Sequence, residues 1–169
     1  MHSASPAPFV DLRLRGGELL VVGRLRLQAL HTPGHTRDSM CLWVEDRVFT
    51  GDTLLIGGTG RTDLPSGNAG ELYESLFEGV LKLDPELKIF PAHEYKDRSH
   101  STIGQELATN PRLQKRDRGA FVEMMQNLNL TMPTHITEAL RTNMSGGKTV
   151  AQMLSDAAAS VPFRKASSP

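Results

Sequence analysis

"HTPGHTRDSM" (residues 31–40) sets two histidines four apart around a Pro-Gly turn. Pro33 and Gly34 end a strand-like run there, and His35 is thrown off the tip of the turn. A second apolar run, "VFTGD", stops on Asp52; a third, "FPAHEY", stops on His93 with Tyr95 two residues further on. Imidazole nitrogens and carboxylate oxygens are ligands for iron and zinc, and a sheet gathers such ligands when they terminate neighbouring strands. Each residue alone has a plainer reading. A lone histidine is commonly a core or surface residue, and Asp52 in "GDT" can simply cap a turn. Their shared position at strand ends is what points to one sheet edge and a metal.

Other residues could serve such a site. His31 reads as a neighbour that braces the turn through hydrogen bonds. In "GRTD" (residues 60–63), Arg61 could bind a substrate carboxylate by a planar two-point contact, with Asp63 fixing its fork, although a solvated turn is the commoner outcome. Tyr95 could offer its hydroxyl to a ligand or could be a packed aromatic. Cys41 lies inside a strand-like run and reads as a small buried apolar residue. His2, His100 and His135 lie in polar stretches and read as solvated.

These positions depend on the elements around them. "ELLVVG" (residues 18–23) and the alternating "RLRLQALH" (residues 24–31) read as strands. "MCLWV" (residues 40–44) and "RVFT" (residues 47–50) read as a hairpin turning at Glu45-Asp46, apolar on both faces and so covered on both. A Gly-rich loop fills residues 56–70. Leu72, Leu76, Val80 and Leu81 then share a helical face that ends before Pro85, and "LKIF" (residues 87–90) is a further strand. Helices are expected over residues 102–109, from Arg118 with Phe121, Met124, Met125 and Leu128 inward, and from Val150 with Met153, Leu154 and Ala157 aligned. The class is α/β, strands early and helices late. Residues 1–11 read as a loose leader, 12–163 as one partial domain and 164–169 as a flexible tail.

The 169 residues carry a formal net charge of zero, so no bulk field draws the chain to nucleic acid or membrane. The single cysteine excludes an internal disulfide and fits a reducing compartment. No apolar run approaches a membrane span, and "MHSASPAPFV" has no signal-peptide character. A cytoplasmic location is expected, with the mitochondrial matrix as the eukaryotic variant.

"HTPGHT", "FTGDTL", "GRTD" and "PAHEY", in this order and spacing, resemble the second half of a metallo-β-lactamase-fold domain. "STIGQELATNPRL" (residues 101–113) and "FVEMMQNLNLTMPTHITEALRTNM" (residues 121–144) resemble the persulfide dioxygenase (sulfur dioxygenase) branch of that superfamily. The resemblance implies the C-terminal half of a four-layer αβ/βα sandwich with one iron ion, zinc being the alternative. It implies that His35 and Asp52 are iron ligands, that His93 lies near the iron, and that Arg61 and Tyr95 line a glutathione persulfide pocket. The family's His-x-His-x-Asp-His loop, which supplies the remaining iron histidine, is absent from this sequence, and "NMSGG" (residues 143–147) lacks the family's frequent cysteine. The expected partners are therefore the persulfide, together with a chain supplying the missing half or a second copy of this one. Two other readings stand beside the dioxygenase: a hydroxyacylglutathione hydrolase-type metallohydrolase, and a non-catalytic half-domain acting as an oligomer or interaction module.

Overall fold

The computed structural model describes residues 1–8, 10–114, 117–132, 134–144 and 164–165. Strands β1 (Leu19–Val22), β2 (Leu25–His31), β3 (Met40–Val44) and β4 (Arg47–Gly51) form an antiparallel meander. The hairpin β3–β4 turns at Glu45-Asp46, as its polar pair predicts, with Val44 facing Arg47 across the ladder. A small hairpin follows, β5 (Leu54–Leu55) with β6 (Gly58–Thr59). Helix α1 (Ala69–Tyr73) continues through a wide turn (Glu74–Gly79) and a tight one (Val80–Lys82). This crossover lets β7 (Lys88–Pro91) return parallel to β4. Strand β8 (Ser101–Thr102) and helices α2 (Ile103–Thr109), α3 (Arg118–Gln126) and α4 (Ile136–Met144) follow. A last short strand, β9 (Arg164–Lys165), pairs with β1. The main sheet runs β8-β7-β4-β3-β2-β1-β9.

Alternation divides the sheet into two unlike faces. On one, Cys41, Val48 and Ile89 pack with Leu72, Leu76 and Val80 of the crossover, Ile103 of α2, and Phe121 and Met125 of α3. Apart from Ile103, these are helical positions that the apolar spacing singled out. On the other face lie Val22, Leu25, Leu42, Phe49 and Phe90. Of these, Val22, Leu25 and Phe49 are exposed. An α/β sheet with helices on the face of Cys41, Val48 and Ile89 is the half-sandwich expected from the sequence.

Three expectations differ. Residues 1–11 are no loose leader: the Ser3 amide donates to the Leu14 carbonyl and the Leu14 amide to that of Met1, while Ala7 and Leu14 are buried. His2 is correspondingly not solvated; it is 6% exposed and stacks flat on His31 at 3.7 Å. The small, Pro-rich composition that suggested looseness is what lets this segment lie close to the sheet. In the expected tail, Arg164 and Lys165 take up pairing positions beside β1, because that edge otherwise offers unpaired backbone groups. The helix expected from Val150 lies outside the described residues, and a helix the spacing did not separate out, α4, occupies Ile136–Met144.

Cys41 is fully buried, close to the Thr32 hydroxyl and the Thr50 carbonyl. Burial pushes its thiol up to about 11, against the opposing pull of hydrogen bonds from Thr32 and Thr53. Alkylation needs the thiolate. At pH 8, iodoacetamide is therefore expected to leave Cys41 unmodified until the chain is denatured, as mass spectrometry of the intact chain would read. Modification of the native chain would contradict its burial.

Candidate metal centre

The His35 loop is built by close packing rather than by its own sequence alone. Gly34 has φ +134°, a conformation an L side chain rarely adopts, and a Cβ there would lie 2.3 Å from the Leu72 nitrogen. The first turn of α1 thus rests on the Pro-Gly turn. The Asn68 amide donates to the Gly34 carbonyl at 2.8 Å, and the Asn68 side chain caps α1. From further along the crossover the Ser75 hydroxyl donates to the Pro33 carbonyl at 2.7 Å. Beneath the turn, the Thr32 and Thr53 hydroxyls meet at 2.9 Å and tie the loop after β2 to the loop after β4.

These ties bring the three strand-end residues together. His35 Nε2 lies 3.5 Å from Asp52 Oδ2, and His93 Nδ1 lies 2.6 Å from Asp52 Oδ1. His35 Nδ1 is 2.8 Å from the Arg61 carbonyl. A carbonyl only accepts, so Nδ1 carries a proton and Nε2 is the nitrogen turned to the carboxylate. An imidazole nitrogen and a carboxylate oxygen, both donor types that a metal takes, face one another there. Ligands about 2.1 Å from a metal at right-angled to tetrahedral geometry stand about 3.0–3.4 Å apart, close to the spacing found. The other side of Asp52 is held by His93, the kind of outer hydrogen bond that orients a ligating carboxylate. His35 and Asp52 therefore fit two corners of a metal site. Among the described residues, no group of three or more His, Cys, Asp or Glu is placed to hold an ion.

Gly60 makes this approach possible. A Cβ at Gly60 would lie 2.1 Å from the Asp52 carbonyl oxygen and 3.0 Å from the His35 ring. No rotamer relieves a clash with backbone. Gly60→Ala is expected to destabilise the chain by about 1–3 kcal/mol and to part His35 from Asp52, read as a lowered Tm and as weakened cobalt binding. A variant with unchanged Tm and unchanged cobalt affinity would contradict the fit.

The remaining expected residues stand apart from the ligand pair. Arg61 is turned to Asp63, with Nε and Nη2 each 2.6 Å from a carboxylate oxygen, while Nη1 donates to the Thr131 carbonyl at 3.0 Å. Asp63 does fix the fork, but it occupies the two-point face expected to meet a substrate. Two residues away in the same loop, its carboxylate reaches the guanidinium before any ligand. The pairing also holds the Asp63 carboxyl below the usual range. Tyr95 is 82% exposed and lies parallel to the His93 ring at 6.2 Å. His31 bonds the Arg37 carbonyl through Nε2 at 3.0 Å, across the turn. A cleft of about 680 Å³ opens beside the ligand pair, lined among others by His35, Arg37, Met40, Asp52, Ser66 and Met144. Arg61, Asp63, His93 and Tyr95 do not line it. Sequence reasoning passed over Thr32, Thr53, Gly60 and Asn68, which carry no reactive chemistry; the density of small and hydroxyl residues around "GHT" and "GDT" was the only signal.

Among the described residues no helix is long and apolar enough to cross a membrane. The sequence pattern of the Metallo-beta-lactamase superfamily matches residues 2–93. The chain is 40% identical over 139 residues to human "Persulfide dioxygenase ETHE1, mitochondrial", a match covering 81% of this chain and 54% of the relative. It therefore spans about half the length of the curated relatives it matches. The crystal structure of ETHE1 from Myxococcus xanthus superposes with a TM-score of 0.83 at 41% identity, over 87% of this chain and 65% of that one. The structure of TTHA1623 in a di-iron-bound form matches at 34% identity with a TM-score of 0.53, over 62% of this chain and 49% of that one. With the family pattern running through more than half of its residues, the chain belongs to the metallo-beta-lactamase superfamily.

Proposed function

We propose that this chain contributes the His35–Asp52 corner of the iron site of a persulfide dioxygenase, which converts glutathione persulfide, dioxygen and water to glutathione and sulfite. The observation that carries the reading is the His35 imidazole, held by the Arg61 carbonyl with its Nε2 turned to the Asp52 carboxylate. The similarity to persulfide dioxygenases over 81% of the chain supports this reaction over the others known in the superfamily. Iron(II), when bound, supplies open coordination positions where a persulfide sulfur and dioxygen meet, with zinc the alternative ion.

The protein side of the chemistry is orientation. Arg61, through its carbonyl, fixes the His35 tautomer; His93 fixes Asp52 and stands close enough to exchange a proton with it. The cleft beside the pair receives the thiol end of the substrate and limits water around it. Arg61 and Tyr95 are assigned to the glutathione end by motif, and for Arg61 this requires Asp63 to yield part of its hold. The third iron ligand is a histidine of a His-x-His-x-Asp-His segment, joined to this chain or carried by a partner.

The test combines this chain with a polypeptide bearing that segment and iron(II), and follows oxygen uptake and sulfite formation with glutathione persulfide. Uptake that depends on His35 and Asp52 supports the reading. Hydrolysis of a hydroxyacylglutathione thioester without oxygen uptake would replace it by the hydrolase, and neither activity would leave a non-catalytic module.

A further inference from the structure

The β5–β6 hairpin has two residues on each side, too few to hold its own shape. Yet it leads directly into Gly60 and Arg61, the residues against which the His35 ring is set. Three side chains from one short stretch of α2 and the turn after it close on this hairpin. The Glu106 carboxylate accepts the Gly57 amide at 2.7 Å. Asn110 Nδ2 donates to the Gly58 carbonyl at 2.9 Å and reaches the Leu55 carbonyl at 3.4 Å and Glu106 at 2.8 Å. Arg112 Nη1 donates to the Thr59 carbonyl at 2.5 Å and to its hydroxyl at 3.2 Å. Backbone groups of Leu55, Gly57, Gly58 and Thr59 are thus gripped in order along the hairpin.

The arrangement is costly. Glu106 is 1% exposed and Asn110 is fully buried, and burying polar groups is costly unless hydrogen bonds offset it. None of the three lines the cleft. Their bonds converge on the segment whose next residues are Gly60, with no room for a side chain, and Arg61, whose carbonyl sets His35.

We propose that Glu106, Asn110 and Arg112 are positioning residues for the metal centre: they lock the β5–β6 hairpin so that the Arg61 carbonyl holds the His35 imidazole against Asp52. The inference deepens the functional reading above, on which it rests for the role of His35, but its test needs neither iron nor substrate. The "NPRL" motif, read from sequence as a family marker, gains a physical task.

The full chain without added metal is treated with diethyl pyrocarbonate, and carbethoxylation of each histidine is followed by peptide mass spectrometry. In Arg112→Met and Asn110→Leu, the His35 rate is expected to rise about fivefold or more, the opening expected from loss of one net hydrogen bond. Rates at the exposed His100 and His135 stay unchanged, and Cys41 stays closed to iodoacetamide. Arg112→Lys, which keeps a donor for the Thr59 carbonyl, restores the wild-type rate. Glu106→Gln, which keeps an acceptor for the Gly57 amide, is the milder second variant and is expected to fall between. An unchanged His35 rate in folded variants overturns the proposal. So does a rise at His35 only together with Cys41 alkylation, since the three residues would then hold the fold rather than the site.

Discussion

Replacing His35 with alanine is expected to abolish metal retention while leaving the chain folded. His35 supplies one of the two side chains that converge in this structure, with Nδ1 engaged by the Arg61 carbonyl and Nε2 turned to Asp52. Loss of an outer-shell partner alone typically costs 10–100-fold in metal affinity, so removal of a ligand should cost about a hundredfold or more. The fold should survive because the ring is not part of the buried core and its neighbours Thr32, Pro33 and Gly34 keep their own bonds to Thr53, Ser75 and Asn68. Cobalt titration by visible absorption reads the affinity directly, in the chain combined with a His-x-His-x-Asp-His segment. His93→Ala is the matched comparison: it frees Asp52 Oδ1 without removing a converging donor, so it should weaken binding by the smaller, outer-shell amount. Equal cobalt affinity in the His35→Ala and parent proteins would remove the metal centre from this edge of the sheet.

The chain produced on its own is expected to self-associate. The face of the sheet opposite Cys41, Val48 and Ile89 leaves Val22 39%, Leu25 44% and Phe49 43% exposed, with Phe90 beside Phe49 at 5.7 Å. Burial of apolar surface is worth about 25 cal/mol per Å², so several hundred Å² left wet forfeits on the order of 10 kcal/mol. That equals the whole stability of a typical domain. Large exposed apolar patches are where proteins meet partners or aggregate. Arg47, whose guanidinium stands 5.6 Å over the Phe90 ring, shields one part of the face only. Sedimentation velocity at micromolar concentration should show species larger than the monomer, and Phe49→Glu combined with Leu25→Lys should shift them toward it. A sharp, cooperative melt from a parent chain that sediments as a monomer would contradict this.

The strands, the Glu45-Asp46 turn and the buried helical faces were legible in the sequence because each rests on local rules. Alternation marks Leu25, Leu27 and Ala29; spacing of three and four marks Leu72, Leu76 and Val80. The candidate ligands were legible for the same reason: His35, Asp52 and His93 each follow an apolar run that must stop. What the sequence could not express is how those stops meet. Asp52 and His93 become neighbours because β7 returns parallel to β4 through the α1 crossover, a register set by packing against the core. The His35 tautomer depends on a carbonyl 26 residues away. That carbonyl depends on a hairpin clamped by Glu106, Asn110 and Arg112. Arg61 carries the same lesson in reverse. Its residue type promised a grip on a carboxylate, and the fold gave it one, Asp63 of its own loop. The residue types determined which chemistry was available. The tertiary structure decided which atoms face each other, because hydrogen bonds and lone pairs act over about 3 Å, a distance set by packing rather than by position along the chain.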